Sequence, residues 1–203
     1  MEQRNFNTTI SCNYFENIEG DMNEIISVKA NTNFIKNNFF TKNKGGVSLR
    51  FGKNNLVKGN VFIENDQNII IWGKDHIIAD NIIYKDKIGI QLPSSNLINN
   101  RQNIRKKQSG FFQTENIIIV GNYISTLDKN PFFVGRHYSR ERPYLPKKII
   151  IQNNNYKIGN VPITNEHFTK FIDAFFINNT LTPNNEGIIN NFENKNYYHG
   201  KSW

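Results

Sequence analysis

The apolar residues of this chain fall in short clusters that return in one phrase: an Ile or Val, two residues, an Asn, one residue, then a large apolar side chain. The phrase reads Ile10/Asn13/Phe15, Ile35/Asn38/Phe40, Val57/Asn60/Phe62, Ile78/Asn81/Ile83, Ile119/Asn122/Ile124 and Ile151/Asn154/Tyr156, with Asn179 as a seventh member. Successive asparagines are 25, 22, 21, 41, 32 and 25 residues apart. Short β-branched strands, Asn and Gly turns and a period in the low twenties, without a long amphipathic helix, predict an all-β chain coiled as a parallel β-solenoid. About seven rungs are expected, with Ile10, Ile35, Val57, Ile78, Ile119 and Ile151 in one interior column. The recurring Asn is placed at an inward bend, where its amide bonds backbone groups that the turn leaves unpaired.

The spacing also marks interruptions. The gap of 41 holds nearly two periods and the gap of 32 carries an excursion, so residues 93–115 and 135–146 are read as loops inserted in coils. The first is polar and basic (Arg101, Arg105, Lys106, Lys107), the second rich in arginine (Arg136, Arg140, Arg142). Loops on a rigid scaffold are where binding residues concentrate. Residues 1–203 are expected to form a single domain, and the lack of a covering segment at either end marks it as part of a longer protein.

A formal charge of +8 and a pI near 9.5 point to a polyanionic partner. That partner is an acidic polysaccharide or a nucleic acid, and charge alone does not choose between them, although no nucleic-acid recognition motif accompanies it. Cys12 is the only cysteine, excluding a disulfide framework or thiolate cluster within the chain, and it reads as a small buried apolar residue. No stretch approaches the roughly 18 apolar residues of a membrane span. Met1-Glu2-Gln3-Arg4-Asn5 lacks the apolar core of a signal peptide.

Two cations stand out against this repeat. Lys29 and Arg50 each close a strand-like segment and are 21 residues apart, about one period. In a solenoid they lie side by side in strands roughly 4.8 Å apart, an arrangement that weakens a sheet and therefore points to chemistry rather than stability. The bland alternative is a pair of solvated cations on a sheet face. Counted to the ladder Asn, Lys29 precedes Asn38 by nine residues and Arg50 precedes Asn60 by ten, so one turn differs by a residue. The Asn43-Lys44-Gly45-Gly46 turn is the expected place for that slip.

The segments Glu24-Ile25-Ile26-Ser27-Val28-Lys29, Asn38-Phe39-Phe40, Leu49-Arg50-Phe51-Gly52, Gly59-Asn60-Val61-Phe62 and Trp72-Gly73-Lys74-Asp75-His76-Ile77-Ile78 resemble polysaccharide lyase family six, the chondroitinase B and alginate lyases, over roughly residues 5 to 160. The resemblance implies a single-stranded right-handed parallel β-helix and β-elimination on a uronic-acid polysaccharide of the alginate or dermatan sulfate/chondroitin type. It makes Lys29 the general base, Arg50 the general acid, and Glu24 a ligand of a catalytic Ca²⁺. Arg136, Arg140 and Arg142 match an arginine-bearing loop that binds carboxylate or sulfate. It further implies a secreted or periplasmic monomer. Trp72, one rung beyond Arg50, is placed to stack on a sugar ring or to pack, and His76 is a substrate contact or a turn residue. The match is incomplete: Met22 stands where the family has a second acidic metal ligand, Phe51 where many members have His, and Ile70 where many alginate lyases have Arg. A catalytically inactive or truncated β-helix that binds acidic carbohydrate is the alternative reading.

Overall fold

The computed structural model describes residues 6–20, 24–98, 110–127, 131–135, 137, 139–158, 172–183 and 190–191. Each coil of the chain contributes up to three short strands. The first rung holds β1 (Thr9–Ser11), β2 (Tyr14–Glu16) and β3 (Glu24–Val28), and the second β4 (Phe34–Lys36), β5 (Phe39–Thr41) and β6 (Gly46–Leu49). The third holds β7 (Leu56–Lys58), β8 (Val61–Ile63) and β9 (Ile69–Ile71), and the fourth β10 (Ile77–Ala79), β11 (Ile82–Asp86) and β12 (Ile90–Leu92). Then follow β13 (Glu115–Val120), β14 (Tyr123–Thr126) and β15 (Phe132–Val134); β16 (Lys147–Gln152) and β17 (Asn155–Ile158); β18 (Ile172–Ile177) and β19 (Thr180–Pro183); and the short β20 (Asn190–Asn191).

These strands stack into three sheets that form the walls of a parallel β-helix. The first runs β1-β4-β7-β10-β13-β16-β18, the second β2-β5-β8-β11-β14-β17-β19-β20, and the third β3-β6-β9-β12-β15. Pairing is parallel throughout except between β19 and β20. In the first sheet the register runs Ile10, Ile35, Val57, Ile78, Ile119, Ile151, which is the column expected from the sequence. All but Ile10 are buried, and each buried aliphatic side chain of this size is worth about 1.5–3 kcal/mol relative to exposure. Across the lumen Phe15, Phe40 and Phe62 stack at centroid distances of 4.7 and 4.6 Å.

The turn between the first two walls explains the repeated asparagine. From Asn13 through Asn38, Asn60, Asn81, Asn122 and Asn154 to Asn179, each side-chain amide donates to the next Oδ1 at 2.9–3.0 Å. The same Oδ1 accepts the backbone N–H of the preceding Asn, so the ladder satisfies groups that the bend strips of sheet partners. The residue before each ladder Asn is left-handed (Cys12, Asn37, Gly59, Asp80, Gly121, Asn153, Asn178), which favours Gly, Asn and Asp there. Cys12 occupies this turn and is exposed, so it is not the buried residue that its chemistry alone suggested. A second ladder runs Asn43, Asn65, Asp86, and a third runs Asn33, Asn55, His76.

The one-residue slip between Lys29 and Arg50 lies elsewhere than the Asn43–Gly46 turn. Glu24 pairs with Gly46 but Ile26 with Val47, so Ile25 forms a bulge that shortens the offset to 21. The residue is restored directly after Arg50. Arg50 and Phe51 both donate their N–H to the Val28 carbonyl, at 2.9 and 3.2 Å, and Lys53 N–H, 22 residues on, bonds Asn31 Oδ1. Gly52 permits this turn: its φ is +98°, and a Cβ there would stand 2.3 Å from the Ala30 carbonyl oxygen.

Candidate active site

Alternation along the third wall decides which side chains reach the outside. Ile26 and Val28 on β3, Val47 and Leu49 on β6, and Ile69 and Ile71 on β9 face the core. The position just past each strand therefore points out, and these are Lys29, Arg50 and Trp72. Register binds them into one column: Val28 pairs with Leu49 and Leu49 with Ile71, while Arg50 N–H donates to Val28 O and Trp72 N–H to Leu49 O at 2.8 Å. Lys29 is exposed, on the edge strand of this sheet, and borders an open recess of about 220 Å³ shared with Phe6, Ile10 and Ile26. Among the described residues its ammonium has no ion-pair partner.

Arg50 is held differently. Its Nη1 lies 3.4 Å from Glu24 Oε2, while Ser48 Oγ donates to Glu24 Oε1 at 3.0 Å. The carboxylate is thereby placed to offset one of the two adjacent cations. Its two oxygens are both engaged, and no group of three or more His, Cys, Asp or Glu side chains among the described residues could hold a metal. Asp21 and Met22 lie outside the described residues, and a thioether at 22 supplies no oxygen in any case. A hard cation such as Ca²⁺ takes about six to eight oxygen ligands, so the described residues around Glu24 do not by themselves fit the metal that the resemblance implies.

An aromatic cluster roofs this column. Phe111 stacks on Trp72 at 4.4 Å, with Phe51 parallel to it at 6.3 Å and Phe112 edge-on to Phe51. The Arg50 guanidinium lies 5.1 Å from the centroid of the Phe111 ring, and the Arg142 guanidinium 4.8 Å from the same centroid. Arg142 is fixed by a tight turn, donating its N–H to Ser139 O and Oγ. That turn is tied to the other loop through Tyr144 and Ser95, which exchange backbone hydrogen bonds. The structure thus brings Arg142 to the same face as Arg50. Arg140 is exposed in the same turn, and Arg136 lies outside the described residues.

Two expected contacts are corrected. Trp72 is only 7% exposed, and its indole packs on Phe111 instead of lying open to a sugar ring. His76 is wholly buried and presents nothing to a polymer. It ends the third ladder, accepting Asn55 N–H at Nδ1 (3.1 Å), which leaves Nε2–H to donate to the Trp72 carbonyl (3.1 Å). Burial lowers its pKa to about 4, against the opposing pull of the Trp72 carbonyl and of Asp75, so it is neutral near pH 7. Phe111 and Ser48 were not singled out from sequence. The adjacent Phe111-Phe112 pair in an otherwise polar insertion is the signal that could have found the first.

Relatives agree with this architecture. The solved structures similar to the chain include a PL6 alginate lyase in complex with a trisaccharide (18% identity, TM-score 0.65, 88% of this chain and 43% of that one). They also include a mannuronic acid specific polysaccharide family 6 lyase from human gut microbiota (17%, 0.66, 89% and 48%) and the alginate lyase AlyF-OU02 (17%, 0.64, 89% and 43%). At these identities the likeness is one of fold, and the chain spans less than half the length of each. Among curated proteins, the glycine–tRNA ligase β subunit of Buchnera aphidicola subsp. Acyrthosiphon pisum is 31% identical over 120 residues, 59% of this chain but only 16% of the ligase. A family model described as chondroitinase B matches residues 2–196, almost the whole sequence, and it is to this family of polysaccharide lyases that the chain belongs.

Proposed function

We propose that the protein is a polysaccharide lyase that cleaves a uronic-acid-containing acidic polysaccharide, of the alginate or dermatan sulfate/chondroitin type, by β-elimination. The observation that carries this reading is the column in which Lys29 and Arg50 project outward from neighbouring rungs beside the arginine-bearing loop. Lys29, uncharged when it acts, takes the C5 proton of the uronate. The electron pair left on C5 forms the C4–C5 double bond as the C4–O4 bond breaks, and the departing oxygen takes its proton from solvent water. The Arg50 guanidinium, a donor without acceptor capacity, suits stabilisation of the charge that develops on carboxylate and leaving oxygen. Arg142 and Arg140 supply further positive charge for the polymer, and the net charge of +8 favours its approach. Members of this class are typically exported, and a secreted or periplasmic monomer is the matching expectation.

The Glu24–Arg50 ion pair and the incomplete metal ligands favour a second reading, a catalytically inactive β-helix that retains acidic carbohydrate. One assay separates them. Incubation with alginate and with dermatan sulfate, with added Ca²⁺ or with chelator, is followed by ultraviolet absorbance of the unsaturated uronate. Growing absorbance that is lost in Lys29→Ala supports the lyase. Polymer bound but unchanged under every condition supports the second reading, and neither binding nor cleavage overturns both.

A further inference from the structure

Phe111 is fixed at its backbone on both sides. Its N–H donates to Asn96 Oδ1 at 2.8 Å, and its carbonyl accepts Leu97 N–H at 3.1 Å. The following residues are clamped too: Gln113 N–H bonds Leu97 O at 2.7 Å, Gln113 Nε2 bonds Leu145 O at 2.7 Å, and Thr114 Oγ donates to Ile71 O at 2.6 Å. The ring is therefore a fixed bearing and not the tip of a free loop. Trp72 backs it, itself anchored on β9's outgoing strand end.

Two positive charges rest on this one ring. Their distances to its centroid place the guanidinium carbons of Arg50 and Arg142 within about 10 Å of each other, comparable to the screening length at physiological ionic strength. Glu24 reaches Arg50, whereas Arg142 has no acidic partner among the described residues. Two N–H donors at the same place, Arg50 Nε and Trp72 Nε1, are buried and have no acceptor. Buried donors without partners and like charges held together are both costs to the fold, and a bound anion offsets the second by lying between the two guanidinium groups.

We propose that Phe111 is a positioning residue for anion recognition: its ring holds the Arg50 and Arg142 guanidinium groups together so that they act on one uronate carboxylate of the polymer. This rests on the lyase reading above and deepens it, because it assigns the holding of the substrate carboxylate to an aromatic-borne arginine pair. A guanidinium held over a ring still directs N–H donors at a carboxylate, in Arg50 those other than the buried Nε and the Nη1 that faces Glu24.

The test is calorimetric titration of an alginate tetrasaccharide into the Lys29→Ala protein, where turnover does not intervene. Adding Phe111→Leu, which keeps apolar bulk and removes the ring, is expected to weaken binding about tenfold. Phe111→Tyr should restore it to within about twofold, and the loss should shrink in an Arg142→Gln background because the ring acts through that side chain. Phe111→Met takes the place of leucine if the latter does not fold. Unchanged binding in the ring-less variant overturns the proposal. So does a tyrosine variant as weak as leucine, or an equal loss with and without Arg142, since each marks simple packing. If the Lys29→Ala parent binds neither this tetrasaccharide nor one of dermatan sulfate, the lyase reading fails and this one with it, an outcome distinct from a loss confined to position 111; where only the latter binds, the same variants are titrated with it.

Discussion

Asp86 closes the ladder that runs Asn43, Asn65, Asp86, and it puts a titratable acid where the repeat asks for an amide. Its Oδ1 accepts both the backbone and the side-chain N–H of Asn65. Its Oδ2 is buried without a partner, as is the Oγ of Thr126, the residue opposite it on β14. Burial raises the carboxyl pKa from 3.8 to about 7, outweighing the donors from Asn65, Asn68 and the Tyr84 backbone that pull it down. The sign follows from linkage. Between about pH 4 and 7 the folded state holds one proton more than the unfolded, so stability is undiminished below pH 4 and falls as pH rises towards 7. A shift of roughly three units corresponds to at most about 4 kcal/mol, fully expressed above pH 7. Asp86→Asn removes the titration and gives position 86 an amide, as Asn65 has when it donates to Phe40 O. We expect thermal midpoints of the two proteins to agree at pH 4 and the variant to melt higher at pH 8, by at most about 8–16 °C at roughly 2–4 °C per kcal/mol for a chain of this size. Midpoints measured from pH 4 to 9 decide it: a pH-independent difference, or a variant less stable at pH 8, refutes the reasoning.

Lys29→Ala should abolish elimination while leaving oligouronate affinity within a few-fold, because a base acts mainly in the transition state; kinetics and calorimetry on one preparation check both. Asn60→Ala removes the acceptor for Asn38 N–H and the donors to Ile35 O and Asn81 Oδ1 in a fully buried site, and should cost about 2–4 kcal/mol in urea unfolding. Gly52→Ala must relieve a 2.3 Å approach to Ala30 O at φ +98°, and a lowered midpoint together with reduced activity is expected, since the turn it forms follows Arg50 directly. Elimination should proceed undiminished in excess chelator, as the described donor set around Glu24 does not suit Ca²⁺; a strict requirement for added Ca²⁺ would contradict that reading of the site.

The coil, its period and its ladders were legible in the sequence because a solenoid repeats its environment. Each Ile of the first-wall column meets the same neighbours one rung away, so the interior selects the same residue type at a fixed offset, and the bend selects Asn every time. The adjacency of Lys29 and Arg50 followed from the same arithmetic. Where the repeat is broken, local pattern stops informing. The bulge at Ile25 and the turn at Gly52 cancel one another, and spacing alone reports only their sum. His76 and Asp86 occupy ladder positions as substitutes for Asn, which became visible only when their hydrogen bonds placed them inside the wall. The meeting of Phe111 and Arg142 over Arg50 joins two insertions and the second rung, 61 and 92 residues apart from it along the chain. No periodicity governs such a contact, because it depends on how two loops fold back across a wall, and the tertiary structure alone decides it.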